Sequence, residues 1–120
     1  MKRFPYEYEA VIPLVRSAIK SREADLVIKE EKELEKGRWV FFSRTTYMKM
    51  DLDPGAVVRV IVEKGKGKDK NTYIRVYSLN LTKSGLPSLK KASDYAEIIA
   101  MKVDAVLKSS EMQKRYKDLQ

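Results

Sequence analysis

A chain of 120 residues, 43% hydrophobic and 35% charged, has the length and composition of one globular domain, and no apolar run approaches the roughly 20 residues of a membrane-spanning helix. It carries 25 basic against 17 acidic residues, a net charge of +8, and has neither Cys nor His. Those absences remove thiol and imidazole chemistry and most metal-ligand sets, so no enzyme, cofactor or metal site is expected, while the positive charge admits nucleic acid, anionic lipid or an acidic protein as partner.

In chain order, Met1-Lys2-Arg3 is a basic start, but Tyr6-Glu7-Tyr8-Glu9 interrupts any apolar secretion segment. Tyr8, Val11, Ile12, Val15, Ala18 and Ile19 then fall on one helical stripe, which predicts a first helix. Pro13 lies within it. Either the proline belongs to the first turn, where a missing N–H is harmless, or the helix begins there and residues 6–11 are extended.

From Ala24 the period becomes two, with Ala24, Leu26 and Ile28 alternating against Asp25, Val27 and Lys29, so a half-buried strand starts here. It runs into an acidic stretch: residues 23–36 hold six acids and three bases, and Glu30, Glu31, Glu33 and Glu35 read as gatekeeping charges on an exposed strand end. Lys36-Gly37 marks a turn. Residues 39–46, rich in aromatic and β-branched side chains, form the second strand, and both of its registers fit the pattern. Asp51-Leu52-Asp53-Pro54-Gly55 is a strong turn, followed by a third strand over 56–64. Residues 65–71 make a lysine-rich hairpin tip. They lack the spacing and the following helix of a phosphate-binding loop. The fourth strand occupies 72–79 and a surface connection 80–91.

Ala92, Tyr95, Ala96, Ile99, Val103, Val106 and Leu107 give the cleanest helical period, opened by Ser93 or Asp94 with Glu97 completing a capping box. Residues 109–120 form a tail or extend this helix. The predicted fold is α+β: a two-layer sandwich in which a four-stranded antiparallel sheet carries an N-terminal and a C-terminal helix on one face. Residues 1–120 make a single domain, ordered over 4–108.

Tyr8-Glu9-Ala10, residues 26–28, Gly37-Arg38-Trp39, residues 58–62, residues 73–76 and Ser93-Asp94-Tyr95-Ala96-Glu97-Ile98-Ile99 together resemble a family of small bacterial envelope lipoproteins of unknown function. The resemblance spans residues 4–108 and implies a domain like half of the TATA-binding-protein fold. It also implies an envelope location if an export signal has been removed, and otherwise the chain is cytoplasmic. The lipobox Cys of such proteins is absent here. The sparse Asn and Gln beside abundant Lys and Glu match a bias found in thermophile proteins.

Strand alternation gives the candidate site. With Leu26, Ile28, Trp39, Phe41, Val58, Val60, Val62, Ile74 and Val76 toward the helices, the opposite face presents Val27, Val40, Phe42, Arg44, Arg59, Ile61, Tyr73, Arg75 and Tyr77. Cross-strand pairing alone explains part of that composition. Phe42, Arg44, Arg59, Tyr73, Arg75 and Tyr77 are the residue types of interaction hot spots, and they form the expected interaction face. Two functions fit: a non-enzymatic binding or structural module that docks a protein partner or forms a homodimer through this face, and a basic nucleic-acid-binding domain using the same face. A third motif, Lys36-Gly37-Arg38-Trp39-Val40-Phe41-Phe42, matches an RNA-binding signature only in part, failing at its aromatic positions.

Overall fold

The computed structural model describes residues 1–45, 55–80 and 91–118. Within them the chain runs β1 (Lys2–Phe4), α1 (Tyr8–Ile19), β2 (Leu26–Glu35), β3 (Arg38–Thr45), β4 (Ala56–Lys64), β5 (Thr72–Asn80) and α2 (Ala92–Asp118). Apart from Gly55, Asn80 and Lys91, the predicted turn at 51–55 and connection at 80–91 lie outside the described residues.

The strands form one antiparallel sheet in the order β1-β5-β4-β3-β2, so the expected four-stranded sheet is corrected to five. The added strand is β1, three residues that pair with β5 through Lys2↔Ile74, Arg3↔Tyr73 and Phe4↔Thr72. Three residues are too few to show an alternation, and Pro5 follows at once. β2 to β5 are successive hairpins, so α1 carries the chain from β1 at one edge to β2 at the other. It thereby lies across the whole sheet.

Both helices cover the same face. The core joins Tyr8, Val11, Val15 and Ile19 of α1, Leu26, Phe41, Val58, Val60, Val62 and Ile74 of the sheet, and Tyr95, Ile99, Ala100 and Val103 of α2. Each of the Val, Leu, Ile and Phe side chains contributes about 1.5–3 kcal/mol on burial. Ala100, not on the expected stripe of α2, joins the core, while Val106, expected on that stripe, is 48% exposed.

Pro13 sits in the second turn of α1, which corrects both placements expected for it. It is exposed, as is Glu9, whose carbonyl the missing N–H leaves without a helical donor, so water can supply one. At α2, Asp94 is the third helical residue, one turn later than an N-cap, and its Oδ2 accepts a 2.7 Å hydrogen bond from the Lys91 N–H. That is the returning arm of a capping box, with Lys91 at the cap.

A bulge in β2 decides where the acidic residues point. Ile28 pairs with Ser43 and Glu30 with Phe42, so the extra residue, Lys29, inverts the alternation beyond it. Glu31 and Glu33 therefore turn toward α1, while Glu30 and Lys32 turn to the opposite face and pair with each other at 3.2 Å. The Arg16 Nε–H donates to Glu31 Oε1 at 2.9 Å, and the Tyr8 hydroxyl donates to Glu33 Oε2 at 2.9 Å. Two of the expected gatekeepers thus fasten α1 to the edge strand.

Arg16 holds the Glu31 carboxyl below its ordinary range, first by hydrogen bonding and then by charge. A carboxyl depressed on folding stabilises the protein above its unfolded pKa, and that contribution disappears as pH falls through the folded value. Because both side chains keep partial contact with water, the effect amounts to at most about 1 kcal/mol. Urea melts at pH 7 and at acid pH should show Glu31→Gln losing less stability on acidification than the parent. Equal losses would remove the pair from the acid response.

At the β4–β5 tip, Asp69 closes the turn: its Oδ1 accepts from the Asn71 N–H at 2.9 Å and its Oδ2 from the Tyr73 hydroxyl. Gly65 makes room for this. A Cβ there would stand 2.6 Å from the Asp69 carbonyl oxygen and 2.9 Å from that of Asn71. Gly65→Ala should therefore cost about 1–3 kcal/mol in urea denaturation, the range for forced overpacking. A change within error would show that the tip adapts freely.

Candidate functional site

The face of the sheet that neither helix covers is built by register. Phe42, Arg59 and Tyr77 form one cross-strand row, and Val40, Ile61 and Arg75 the next. On one side of these lie Arg44, Val57 and Leu79, with Val27 beside Arg44, and on the other lie Arg38, Glu63, Tyr73 and Arg3. All six residues expected at the interaction face are on it, and the second strand keeps the register in which Phe41 faces the helices.

The two halves of this face differ. Toward the hairpin tip its charges are paired internally: Glu63 lies 3.4 Å from both Arg38 Nε and Arg75 Nε, and the Tyr73 hydroxyl is held by Asp69. In mid-sheet Val40 and Ile61 are almost fully buried. Toward the other end, Val57 (41%), Tyr77 (52%) and Leu79 (65%) stay exposed. Arg59 stacks over Phe42 with its guanidinium carbon 5.0 Å from the ring centroid, and Lys32 Nζ stands 5.7 Å from the same centroid. The ring quadrupole partly offsets the crowding of cations, as an anion would.

The arginines are ordered. Arg59 is two residues beyond the partner of Arg44, Arg75 two beyond the partner of Arg59, and Arg3 pairs with the residue two beyond Arg75. Arg44, Arg59, Arg75 and Arg3 therefore trace one diagonal across β3, β4, β5 and β1, in steps of roughly 7–8 Å, the spacing of diagonal neighbours in an antiparallel sheet. Three of these were expected on the face. Arg3 was missed because β1 has no sequence signature, and Val57 and Leu79 follow from the same period-two rule carried one step further.

A cleft of about 670 Å³ opens beside the hairpin end, with Tyr8, Glu33, Arg38, Glu63 and Arg75 on its wall. Burial first, and hydrogen bonding to Glu33 second, push the Tyr8 hydroxyl well above the ordinary tyrosine range, so it stays protonated and serves as a fixed donor. Among the described residues no group of three or more acidic side chains is placed to hold a metal ion. No helix among them is long and apolar enough to cross a membrane. Comparisons of the chain with protein-family models, with curated proteins and with solved structures give no match.

Proposed function

We propose that this protein is a non-enzymatic binding module whose working surface is the open face of the sheet. The observation that carries the reading is the asymmetry of the two faces: one is buried under both helices, while the other exposes Val57, Tyr77 and Leu79 around an arginine diagonal. Exposed aromatic and apolar side chains grouped with arginine are what a partner desolvates at a hot spot.

The sheet edges are poor alternatives. β1 is three residues long, and the β2 edge is bulged and carries Lys29, Glu30, Glu31, Lys32, Glu33 and Glu35, devices that oppose strand addition. Association through the face is therefore favoured over augmentation of an edge. An envelope location, as in the lipoproteins the sequence resembles, remains part of this proposal and is tested by reading the complete gene for an upstream lipobox Cys.

The test is the pair Phe42→Ser with Tyr77→Ser. Because neither side chain belongs to the helix-covered core, the double variant should lose no more than about 1–2 kcal/mol in urea denaturation, the scale of a few cross-strand contacts. A loss of several kcal/mol would make the face ordinary sheet packing and end the docking reading. Sedimentation of the parent should give a monomer at low salt, since a two-fold dimer through this face would set one arginine diagonal against another. A dimer abolished by the double substitution would redirect the reading to self-association.

A further inference from the structure

We propose that the open face binds single-stranded nucleic acid, with the Arg44–Arg59–Arg75–Arg3 diagonal following the phosphate backbone. This rests on the docking reading above and names its occupant. Four arginine positions on one diagonal, one per strand at a regular step and with Arg75 among them held by Glu63, complement a ligand whose negative charges are equally regular. Along a single strand the phosphates likewise recur at a fixed backbone repeat of several ångströms, comparable to the roughly 7–8 Å between neighbouring arginine positions.

The line does not stop at the sheet. Arg3 pairs in register with Tyr73, whose hydroxyl is bound to Asp69 at the β4–β5 tip, so the diagonal runs out toward Lys66, Lys68 and Lys70. Among the described residues these three lysines form no ion pair. The only carboxylate within the tip, Asp69, is engaged by Asn71 and Tyr73. The basic residues therefore extend from Arg44 at one end of the sheet to the hairpin at the other, with Glu63, paired to Arg38 and Arg75, set among them.

Aromatic rings choose between one strand and two. Tyr77 is 52% exposed and stands directly opposite Arg59, on the flank of the diagonal where Val57 and Leu79 are also exposed. An unpaired strand offers base faces to such a ring, whereas a duplex buries them in its own stack. The tip contains no apolar side chain to enter a lipid layer, so its lysines suit phosphates in water rather than a membrane interior.

The experiment titrates the full chain against fluorescein-labelled oligothymidylate and oligouridylate of about 15 nucleotides, a length within the range of single-strand sites, and against a duplex of equal length. Binding should appear at about 50 mM salt and weaken with a log–log slope near −2, as expected for roughly three phosphate contacts on a single strand, Arg75 being already paired with Glu63. Arg59→Ala should reduce that slope by about 0.7, and Tyr77→Ala should weaken binding about tenfold through lost stacking. Lys108→Ala, an exposed cation on α2, should leave both unchanged. The deoxy and ribo probes report which sugar is preferred. Equal losses from Lys108→Ala and Arg59→Ala would reveal diffuse polyanion adhesion and overturn the proposal, as would a duplex bound as tightly as the single strands. Absence of binding to every probe at about 50 mM salt, with Phe42→Ser/Tyr77→Ser still stable, would overturn the nucleic-acid inference and leave the docking reading standing.

Discussion

Val103→Asp is expected to abolish folding. Val103 is fully buried and lies on the same α2 stripe as Tyr95 and Ile99, where that helix meets α1 and β5. A carboxylate at this position would have to ionise without a partner in an apolar interface or take up a proton, and either course costs several kcal/mol on top of the lost packing. A domain of this size has a total stability of only about 5–15 kcal/mol, so the balance passes to the unfolded chain or close to it. Val106→Asp is the control. One helical turn further on, its side chain is already 48% exposed, and the same chemistry should cost within about 0.5 kcal/mol. Circular dichroism and the dispersion of amide NMR signals check both. A well-folded Val103→Asp would mean that α2 is not part of the core.

The second large effect separates two adjacent phenylalanines. Phe41 is fully buried toward the helices, with the Arg16 guanidinium carbon 5.9 Å from its ring centroid, and Phe41→Ala should cost about 3–5 kcal/mol, the usual range for removing a core aromatic. Phe42 points the other way, under Arg59 and beside Lys32. Phe42→Ala forfeits cation–π contact and some cross-strand packing, about 1 kcal/mol in all. Urea denaturation of the two variants measures the difference directly. Comparable losses would show that both sheet faces serve as core, and the distinction on which the functional reading depends would disappear.

Much of this architecture was legible in the sequence because its determinants are local and periodic. The alternation from Val58 to Val62 and the i, i+4 series Tyr95, Ile99, Val103 declare their buried sides without reference to anything else in the chain. What the sequence concealed depends on long-range pairing. β1 exists because Lys2–Phe4 meets β5 some 70 residues later, and three residues cannot announce that partner. The bulge at Lys29 is equally silent, since it inserts one residue into an otherwise regular strand, yet it turns Glu31 and Glu33 toward α1. Pro13 resisted prediction for a different reason. Helix preference at that position is overridden by the stripe from Tyr8 to Ile19 packing on the sheet, with the proline left on the solvent side.

The candidate site divides along the same line. Phe42, Arg44, Arg59, Tyr73, Arg75 and Tyr77 could be assigned to one face from alternation within single strands. Their order across the sheet could not. The arginine diagonal emerges only from the cross-strand registers Phe42↔Arg59, Ile61↔Arg75 and Arg3↔Tyr73, as does the engagement of Arg75 by Glu63. Alternation put Arg44, Arg59 and Arg75 on one face, and pairing arranged them with Arg3 along one diagonal.

The claim that the open face is the working surface is tested most directly by amide chemical-shift mapping of the isotopically labelled protein during titration with oligothymidylate. Shifts and line broadening should concentrate on the β1, β3, β4 and β5 positions around Arg3, Arg44, Arg59, Arg75 and Tyr77, while the buried stripes of α1 and α2 remain unchanged. Perturbations centred on either helix, or spread evenly over every exposed lysine, would contradict the account.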